Sequence, residues 1–145
     1  MVAHRGPDGS GWEIHESPAG PVALGHRRLS IIDLTEGGRQ PAADPTKRFH
    51  IVFNGEIYNY IELRETLRQK GEVFLTDSDT EVLLRSIAIW GESALERLRG
   101  MFAFVVWDSW DKRLIAARDR FGIKPLYYYS NGKAIAFASE IKQLL

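Results

Sequence analysis

The hydrophobic residues of the chain fall into short runs, and two of these runs lack the alternation of a half-exposed strand. Residues 49–53 (FHIVF) are β-branched and aromatic, which is typical of a buried strand. Residues 101–107 (MFAFVVW) are continuously apolar, which predicts a strand that is covered on both faces. Asn54 and Gly55 follow the first run, and because Asn-Gly favours a tight turn we expect that strand to end there.

Shorter runs predict further antiparallel strands. Residues 12–15 and 22–26 flank a Ser-Pro-Ala-Gly connection, which predicts a hairpin. The opening segment 4–11 holds three glycines and a proline, so it is expected to be a loop. Three runs separated by turn-forming residues predict an antiparallel meander that follows residues 101–107: residues 113–118, 125–129 and 134–138.

Two helices are predicted by capping boxes, in which a short polar residue is followed three positions later by glutamate. Asn59 opens the first box and Ser78 the second, and each helix ends at a glycine, Gly71 or Gly91. Residues 73–76 between the helices are expected to form a strand. The pattern as a whole predicts the α+β class, with two mostly antiparallel sheets facing each other and helices outside.

Composition narrows the classes of function. The chain has 145 residues, enough for one compact domain, and 19 basic and 19 acidic residues give a formal net charge of zero. This balance provides no overall field that would attract nucleic acid or an anionic membrane. The sequence has neither an apolar run long enough to span a membrane nor a secretory signal, which predicts a cytoplasmic protein.

Residues that commonly bind metals or act as nucleophiles are sparse. The chain has no cysteine, which excludes disulfides, thiolate ligands and a thiol nucleophile within it. It has no phosphate-binding glycine-rich loop ending in Lys-Ser or Lys-Thr. The four histidines are scattered without the spacing of metal ligands, so no metal site is predicted: His4, His15, His26 and His50.

The Asn54-Gly55 pair is the one candidate for chemistry that the residues themselves indicate. The Asn54 side-chain amide and the unshielded Gly55 N–H are hydrogen-bond donors, and two donors aimed at one point can stabilise the oxygen of a tetrahedral acyl intermediate. A simple polar turn is the alternative. Composition alone favours that turn.

Seven blocks along the chain carry a family resemblance: HRGPDG from His4, GHRRLSIIDL from Gly25, NGEIYNY from Asn54, SDTE from Ser78, GMFAF from Gly100, RDRFGIKPLYY from Arg118 and FASEIK from Phe137. In this order they resemble the glutamine amidotransferase domain of glutamine-hydrolysing asparagine synthetases. Related class II amidotransferases that build other amides share much of the pattern. The resemblance implies a four-layer α-β-β-α sandwich of the N-terminal-nucleophile hydrolase type, here without its first strand and helix.

The resemblance also implies an activity. Members of the family hydrolyse L-glutamine to glutamate and ammonia, and a C-terminal synthetase domain uses that ammonia to amidate aspartate. ATP and magnesium belong to that second domain, so no cofactor is expected in this one. The expected partners are therefore glutamine and the synthetase domain, and a homodimer is a further assembly that the resemblance allows.

Site residues follow from the matched motifs. Asn54 and Gly55 resemble the oxyanion hole. Arg28 resembles the arginine that binds the substrate carboxylate, for which a planar guanidinium suits because it donates two parallel hydrogen bonds. Backbone groups of Ile31 and Ile32 are similar to those that close over the glutamine. Without the resemblance, Arg28 reads as a surface charge.

The acidic residues complete the expected site. Asp79 resembles the carboxylate that receives the α-ammonium of glutamine, and Glu56 assists it. The alternative for Asp79 is that it only caps a helix. The loop at Gln40 and Pro41 resembles a cover over the site.

The chain departs from the family at the nucleophile. Family members use an N-terminal cysteine whose own α-amino group acts as the base. Here no cysteine exists and Val2 follows Met1. We therefore expect a single amidotransferase domain, truncated at both ends, that is inactive by itself. The alternatives are a non-catalytic glutamine-binding or interaction module and an amidotransferase that serves another acceptor.

Overall fold

The computed structural model describes residues 4, 6, 8–28 and 39–145, and of Arg28 it describes the backbone alone. No helix in these ranges is both long and apolar enough to cross a membrane. Two short 3-10 helices, Gly91–Glu96 and Ile141–Gln143, accompany the main elements. These are β1 (Gly9–His15), β2 (Val22–Arg28), β3 (Ala42–Ala43), β4 (Phe49–Ile57), α1 (Tyr60–Arg68), α2 (Asp79–Trp90), β5 (Gly100–Asp108), β6 (Arg113–Arg118), β7 (Tyr127–Ser130) and β8 (Ile135–Ala138).

The central layer is an antiparallel sheet with the strand order β3-β4-β5-β6. Its register places Ile51 opposite Val106 and Phe53 opposite Phe104, so these side chains share one face. That face packs against α1 and α2 through a core in which Leu67, for example, is fully buried. Successive side chains of a strand point to opposite faces of the sheet. The residues that alternate with Ile51 and Phe53 therefore lie on the other face, which the two helices do not cover.

The second face of this sheet is covered by the β1–β2 hairpin, and we call it the hairpin face. His50 of β4 points to it, since its Nδ1 lies 3.0 Å from the Glu13 carboxylate of β1. From β2, the His26 ring lies 3.1 Å from the carbonyl oxygen of Phe53. The described residues thus form a helix layer, a four-stranded sheet and a facing hairpin, with β7 and β8 as a separate antiparallel pair. The predicted α+β class with antiparallel sheets is confirmed.

Two local predictions are wrong. The loop predicted for residues 4–11 ends earlier, because β1 begins at Gly9, which pairs with Arg28. Residues 73–76 are not a strand. Their neighbourhood is instead organised by the Glu81 carboxylate, which accepts hydrogen bonds from the backbone N–H groups of Leu75 and Thr76.

The helix boundaries match the prediction better than the capping boxes do. Ser78 caps α2 by accepting from the Thr80 N–H at 3.1 Å, and the helix ends at Gly91 with φ of +57°. Asn59 precedes α1 but its side chain makes no capping bond. It bonds instead to the Arg97 carbonyl at 3.0 Å and to the backbone N–H of residue 99 at 2.9 Å.

The far end of β5 carries a buried ion pair. Asp108, which is fully buried, accepts from Arg48 Nε at 2.9 Å and from its Nη2 at 2.7 Å. Burial by itself raises the pKa of Asp108, but the Arg48 hydrogen bonds and two backbone N–H donors outweigh it and lower that pKa to about 2. The carboxylate therefore stabilises the fold when it is ionised.

We expect Asp108→Asn to lower the free energy of unfolding at pH 7 by about 2 kcal/mol. A lowered native pKa gives stability that is present above the ordinary aspartate range and lost as the pH falls towards 2, so the difference from the wild type should shrink over that interval. Urea denaturation at pH 7, 4 and 2.5 measures it. Asp111→Asn is the control, since Asp111 contacts the same Arg48 but its side chain is 56% exposed. An equal loss in both variants would contradict the assignment.

Candidate functional site

The Asn54-Gly55 pair lies inside a strand, so the predicted turn is wrong. Strand β4 continues through it, with Asn54 opposite Ala103 and Gly55 opposite Phe102. Gly55 has φ of +154°, and a Cβ there would meet the Met101 carbonyl oxygen and lie 2.7 Å from Phe102 Cα. Glycine is thus required by the close approach of β5 and not by a chain reversal.

Gln40 takes the place of a neighbouring strand beside Phe53. The Phe53 N–H donates to Gln40 Oε1 at 2.6 Å, and Gln40 Nε2 donates back to the Phe53 carbonyl at 3.1 Å. His26 approaches the same carbonyl at 3.1 Å. The backbone groups of Phe53 therefore point away from β5. A glycine at position 11 makes room for this arrangement, because a Cβ there would lie 3.3 Å from Pro41 Cδ and clash with the backbone of residue 40.

Asp79 binds the same edge of β4 at Ile57, four residues after Phe53. Its Oδ2 accepts from the Ile57 N–H at 2.9 Å. In an antiparallel strand, alternate residues direct their backbone groups to the same side. Gly55 lies midway between Phe53 and Ile57, so its N–H points to this side as well, away from β5. We call the segment from Phe53 to Ile57 the open edge of β4.

The Asn54 side chain supplies a second donor at this edge. Its Nδ2 atom is buried and has no hydrogen-bond partner among the described residues. A buried donor without a partner is costly, which indicates an acceptor that the described residues do not provide. Asn54 and His50 are four residues apart on β4, so both side chains lie on the hairpin face. The Asn54 amide and the Gly55 N–H belong to consecutive residues, so two donors lie within one short stretch of β4.

Two carboxylates lie beside these donors. Asp79, the first residue of α2, is 5% exposed, and burial raises its pKa. Hydrogen bonds from the Ile57 and Thr80 N–H groups oppose this shift, whereas the charge of Glu56 raises the pKa further. A buried carboxylate next to a second acid is stabilised by a cation, and an ammonium group fits that requirement. The N-cap of α2 is Ser78 and not Asp79, so the alternative that Asp79 only caps the helix is wrong.

Asn54, Gly55 and Glu56 are consecutive in β4, and Asp79 binds the N–H of the next residue, Ile57. Arg28 ends β2 two residues after His26, so its backbone lies roughly 7 Å further along a strand that contacts β4. The predicted contributions of Ile31 and Ile32 lie outside the described residues.

Sequence reasoning missed the anchoring role of Gln40. The resemblance gave its loop the role of a cover, but its side chain is bonded to both backbone groups of Phe53. No local signal in the sequence reveals this pairing, because it joins residues 13 apart through a side-chain amide.

Sequence reasoning also missed a cluster on the hairpin face. The histidines were predicted to be scattered, but His15 and His50 meet around Glu13. Glu13 Oε2 lies 3.2 Å from His15 Nε2 and 3.0 Å from His50 Nδ1. The expectation of no metal site came from sequence spacing, and it stays a prediction, although the fold brings a ligand atom of each of these three residues within 4.8 Å of the others. Alternation along β1 was the available signal, since Glu13 and His15 share a face.

Comparisons with known proteins agree with the resemblance. The family model described as "Glutamine amidotransferase domain" matches residues 1–145. Asparagine synthetase [glutamine-hydrolyzing] 1 of Bacillus subtilis is 53% identical over 145 residues, which cover 100% of this chain and 22% of that protein. Asparagine synthetase [glutamine-hydrolyzing] 3 of the same organism is 46% identical over 99% of this chain and 23% of its own length. The chain thus spans about a fifth of the curated relatives it matches.

A solved structure shares the fold. Glutamine phosphoribosylpyrophosphate amidotransferase from B. subtilis, complexed with ADP and GMP, superposes with a TM-score of 0.69 at 29% identity and covers 83% of this chain and 28% of its own. This likeness confirms the predicted N-terminal-nucleophile type of fold. The family match over the whole chain settles the family itself. The chain belongs to the glutamine amidotransferase domain family.

Proposed function

We propose that this chain is the amidotransferase part of an asparagine synthetase-like enzyme, which hydrolyses L-glutamine to glutamate and ammonia. The observation that carries the proposal is the buried Asn54 Nδ2, which has no partner among the described residues and lies next to the Gly55 N–H. A buried amide donor without a partner, together with the N–H of the next residue, is suited to binding the oxygen of an acyl intermediate.

The charges around the open edge of β4 support an amino acid as the ligand. Asp79 and Glu56 receive the α-ammonium group, and the Arg28 guanidinium binds the α-carboxylate. The family resemblance assigns backbone groups of Ile31 and Ile32, which lie outside the described residues, to the same glutamine site. Opposite charges at the two ends of the amino acid leave its side-chain amide directed at Asn54.

The reaction places negative charge on the amide oxygen. A thiolate adds to the amide carbon, the carbonyl oxygen becomes an oxyanion, and the Asn54 Nδ2 and Gly55 N–H groups donate to it. The C–N bond then breaks, the nitrogen takes a proton and leaves as ammonia, and water hydrolyses the thioester to glutamate. Each donor is worth roughly 10²- to 10³-fold in kcat.

The bonds on either side of Gly55 keep its N–H in place during this charge development. Gln40 fixes Phe53, and Asp79 fixes Ile57, so the strand cannot rotate at the glycine without breaking hydrogen bonds at both ends. Preorganised donors of this kind need no reorientation when the oxyanion forms. Gln40 thus acts as a positioning residue.

The thiol itself is not part of residues 1–145, which contain no cysteine. We propose that residues 1–145 form a single domain that binds glutamine without hydrolysing it. In the whole protein, a C-terminal synthetase domain uses the ammonia with ATP and magnesium to amidate aspartate. A cytoplasmic location and a homodimeric assembly complete this proposal.

The lack of cysteine also favours a second candidate function. A non-catalytic glutamine-binding or interaction module would retain the charged groups of the site and need no nucleophile. An amidotransferase with an acceptor other than aspartate would have the same site as the first proposal. The acceptor is therefore a property of the synthetase domain and not of this chain.

Ammonia release from L-glutamine tests the proposal. The chain should be compared with a fusion in which a segment that begins with a cysteine, as the family resemblance implies, is placed before Met1. We expect the fusion to release ammonia and the chain alone to bind glutamine without releasing it. Asn54→Ala in the fusion should lower kcat by about 10²- to 10³-fold.

Calorimetric titration with L-glutamine separates the two candidate functions. A fusion that binds glutamine and releases no ammonia supports the non-catalytic module. Failure of both proteins to bind glutamine overturns the amidotransferase and the glutamine-binding module, and favours an interaction module. Ammonia release by the unmodified chain contradicts the need for an external nucleophile.

A further inference from the structure

We propose that Glu13, His15 and His50 form a binding site for a divalent transition-metal ion of the Zn²⁺ class, which links the β1–β2 hairpin to the central sheet. The site is separate from the glutamine site. Its ligand atoms, one from each residue, lie within 4.8 Å of one another.

The three side chains converge because of the strand register. Glu13 and His15 are two residues apart on β1 and share its inner face, while His50 lies on the hairpin face of β4. One carboxylate oxygen, Glu13 Oε2, lies 3.0 Å from His50 Nδ1 and 3.2 Å from His15 Nε2. The two imidazole rings are 4.1 Å apart between centroids. Two nitrogen ligands and one oxygen ligand are thus already assembled.

The environment of His50 carries the argument for a cation. Its Nδ1 faces the Glu13 carboxylate at 3.0 Å, and its Nε2 faces the Lys47 carbonyl oxygen at 3.0 Å. Both neighbours are hydrogen-bond acceptors, but a neutral imidazole has one N–H. A cation placed between Nδ1 and the carboxylate would satisfy both, with the single N–H on Nε2 donating to the Lys47 carbonyl.

Metal coordination satisfies every one of these contacts. With the Nε2 proton donated to Lys47, the Nδ1 lone pair is directed at the ion, and a second-shell carbonyl of this kind is what typically orients a metal-bound histidine. Ligands that lie about 2.0–2.2 Å from one ion are roughly 3.0–3.5 Å from each other, which matches the 3.0 and 3.2 Å separations of Glu13 Oε2 from the two nitrogens. The two nitrogens themselves lie within 4.8 Å of each other, so they need only a small approach to share an ion.

The donor set and the exposure indicate which ion binds. Two imidazoles and one carboxylate suit Zn²⁺, Co²⁺, Ni²⁺ and Cu²⁺ better than Ca²⁺ or Mg²⁺, which prefer oxygen ligands. The His50 side chain is 11% exposed, His15 18% and Glu13 36%, so the ion can enter from the Glu13 side and keep a water ligand. Three protein ligands with an open position are a common zinc arrangement.

The position of the site gives it a structural role. His50 lies in β4 four residues before Asn54, and Glu13 and His15 lie in the strand that pairs with β2. An ion at this point would fix the hairpin to the sheet. It would do so whether or not the chain binds glutamine, which makes the proposal independent of the amidotransferase assignment.

The test is titration of the chelator-treated, dialysed chain with ZnCl₂ by isothermal calorimetry. We expect saturable 1:1 binding and a rise in Tm on adding Zn²⁺. His15→Ala should weaken Zn²⁺ binding by at least about tenfold and remove most of the rise in Tm. Titration with Co²⁺ should give a d–d absorption band in the wild type that His15→Ala loses.

His4→Ala is the matched control, because His4 is exposed and lies outside the cluster. Its side chain bonds to Glu140. It should bind Zn²⁺ as the wild type does. Circular dichroism shows whether His15→Ala is folded, and Glu13→Gln, which keeps the shape of the side chain, replaces it if it is not. The absence of saturable 1:1 binding, or equal Zn²⁺ affinity in the wild type and the cluster variant, overturns the proposal in favour of a direct hydrogen bond between His50 and Glu13 without an ion.

Discussion

Replacing Gly55 with alanine is expected to lower the free energy of unfolding by about 3 kcal/mol or more and to abolish glutamine binding. The added Cβ would meet the Met101 carbonyl oxygen and lie 2.7 Å from Phe102 Cα, both of which are backbone atoms of β5. Backbone atoms cannot rotate aside as a side chain can, so the two strands must separate. Separation would move the Gly55 N–H and Asn54 away from the positions required for the oxyanion. Urea denaturation and calorimetric titration with L-glutamine measure the two effects.

Gly25→Ala is the matched control. Gly25 also lies in a strand, but a Cβ there would meet nothing within 4 Å. The change should therefore alter stability by less than about 1 kcal/mol and should leave glutamine binding intact. If Gly55→Ala unfolds at the same urea concentration as Gly25→Ala, β4 and β5 separate easily and the close approach does not explain the glycine.

Gly55 also shows where sequence reasoning fails. Asn-Gly favours a turn in isolation, but here β5 lies alongside β4 over its whole length, and tertiary pairing outweighs the local preference. A second glycine, Gly100, stands opposite Ile57, and a Cβ there would lie 3.0 Å from Ile57 Cα. The two glycines lie on opposite strands of one close approach, a relation that appears only when the register is known.

The elements that were predicted correctly depend on local signals. Residues 49–53 and 101–107 form the strands that their apolar runs predict, and Ser78 and Gly91 mark the two ends of α2. Each of these signals is complete within a few residues. Asn59 was predicted from an equally local pattern, but it lost its capping role to backbone partners 38 and 40 residues away.

The residues of the candidate site also fall into those that a local motif indicates and those that only the fold reveals. The resemblance to amidotransferases gave Asn54, Gly55 and Asp79 directly from motifs, whereas Gln40 acts through Phe53 and required coordinates. The Glu13 cluster has no motif at all, because 37 residues separate Glu13 from His50 and only the facing of hairpin and sheet brings them together. Sequence patterns thus predict residues that act by their own chemistry better than residues that act by position.

Asp79→Asn is expected to weaken L-glutamine binding by about 30- to 100-fold without lowering stability at pH 7. The substitution removes the charge that we propose receives the α-ammonium, but the asparagine oxygen can still accept from the Ile57 N–H, which is 2.9 Å away in the wild type. Burial raises the pKa of Asp79, so ionisation of this carboxyl opposes folding. Its contribution to stability falls as the pH rises through the native pKa, and asparagine removes that loss. The variant should therefore gain stability relative to the wild type as the pH rises above the ordinary aspartate range.

Asp79→Ala separates the two roles of this residue. Alanine leaves the buried Ile57 N–H without an acceptor, so stability should fall by about 1–3 kcal/mol together with the loss of binding. Urea denaturation between pH 4 and 8 and calorimetric titration with L-glutamine give both quantities for both variants. If Asp79→Asn binds glutamine as tightly as the wild type while Asp79→Ala loses only stability, Asp79 serves to anchor β4 and the ammonium is held by another group. If Asp79→Asn loses glutamine binding but keeps its stability, then glutamine binding requires the carboxylate charge itself. The reason is that asparagine can still accept from the Ile57 N–H, so the open edge should have the same geometry in this variant as in the wild type.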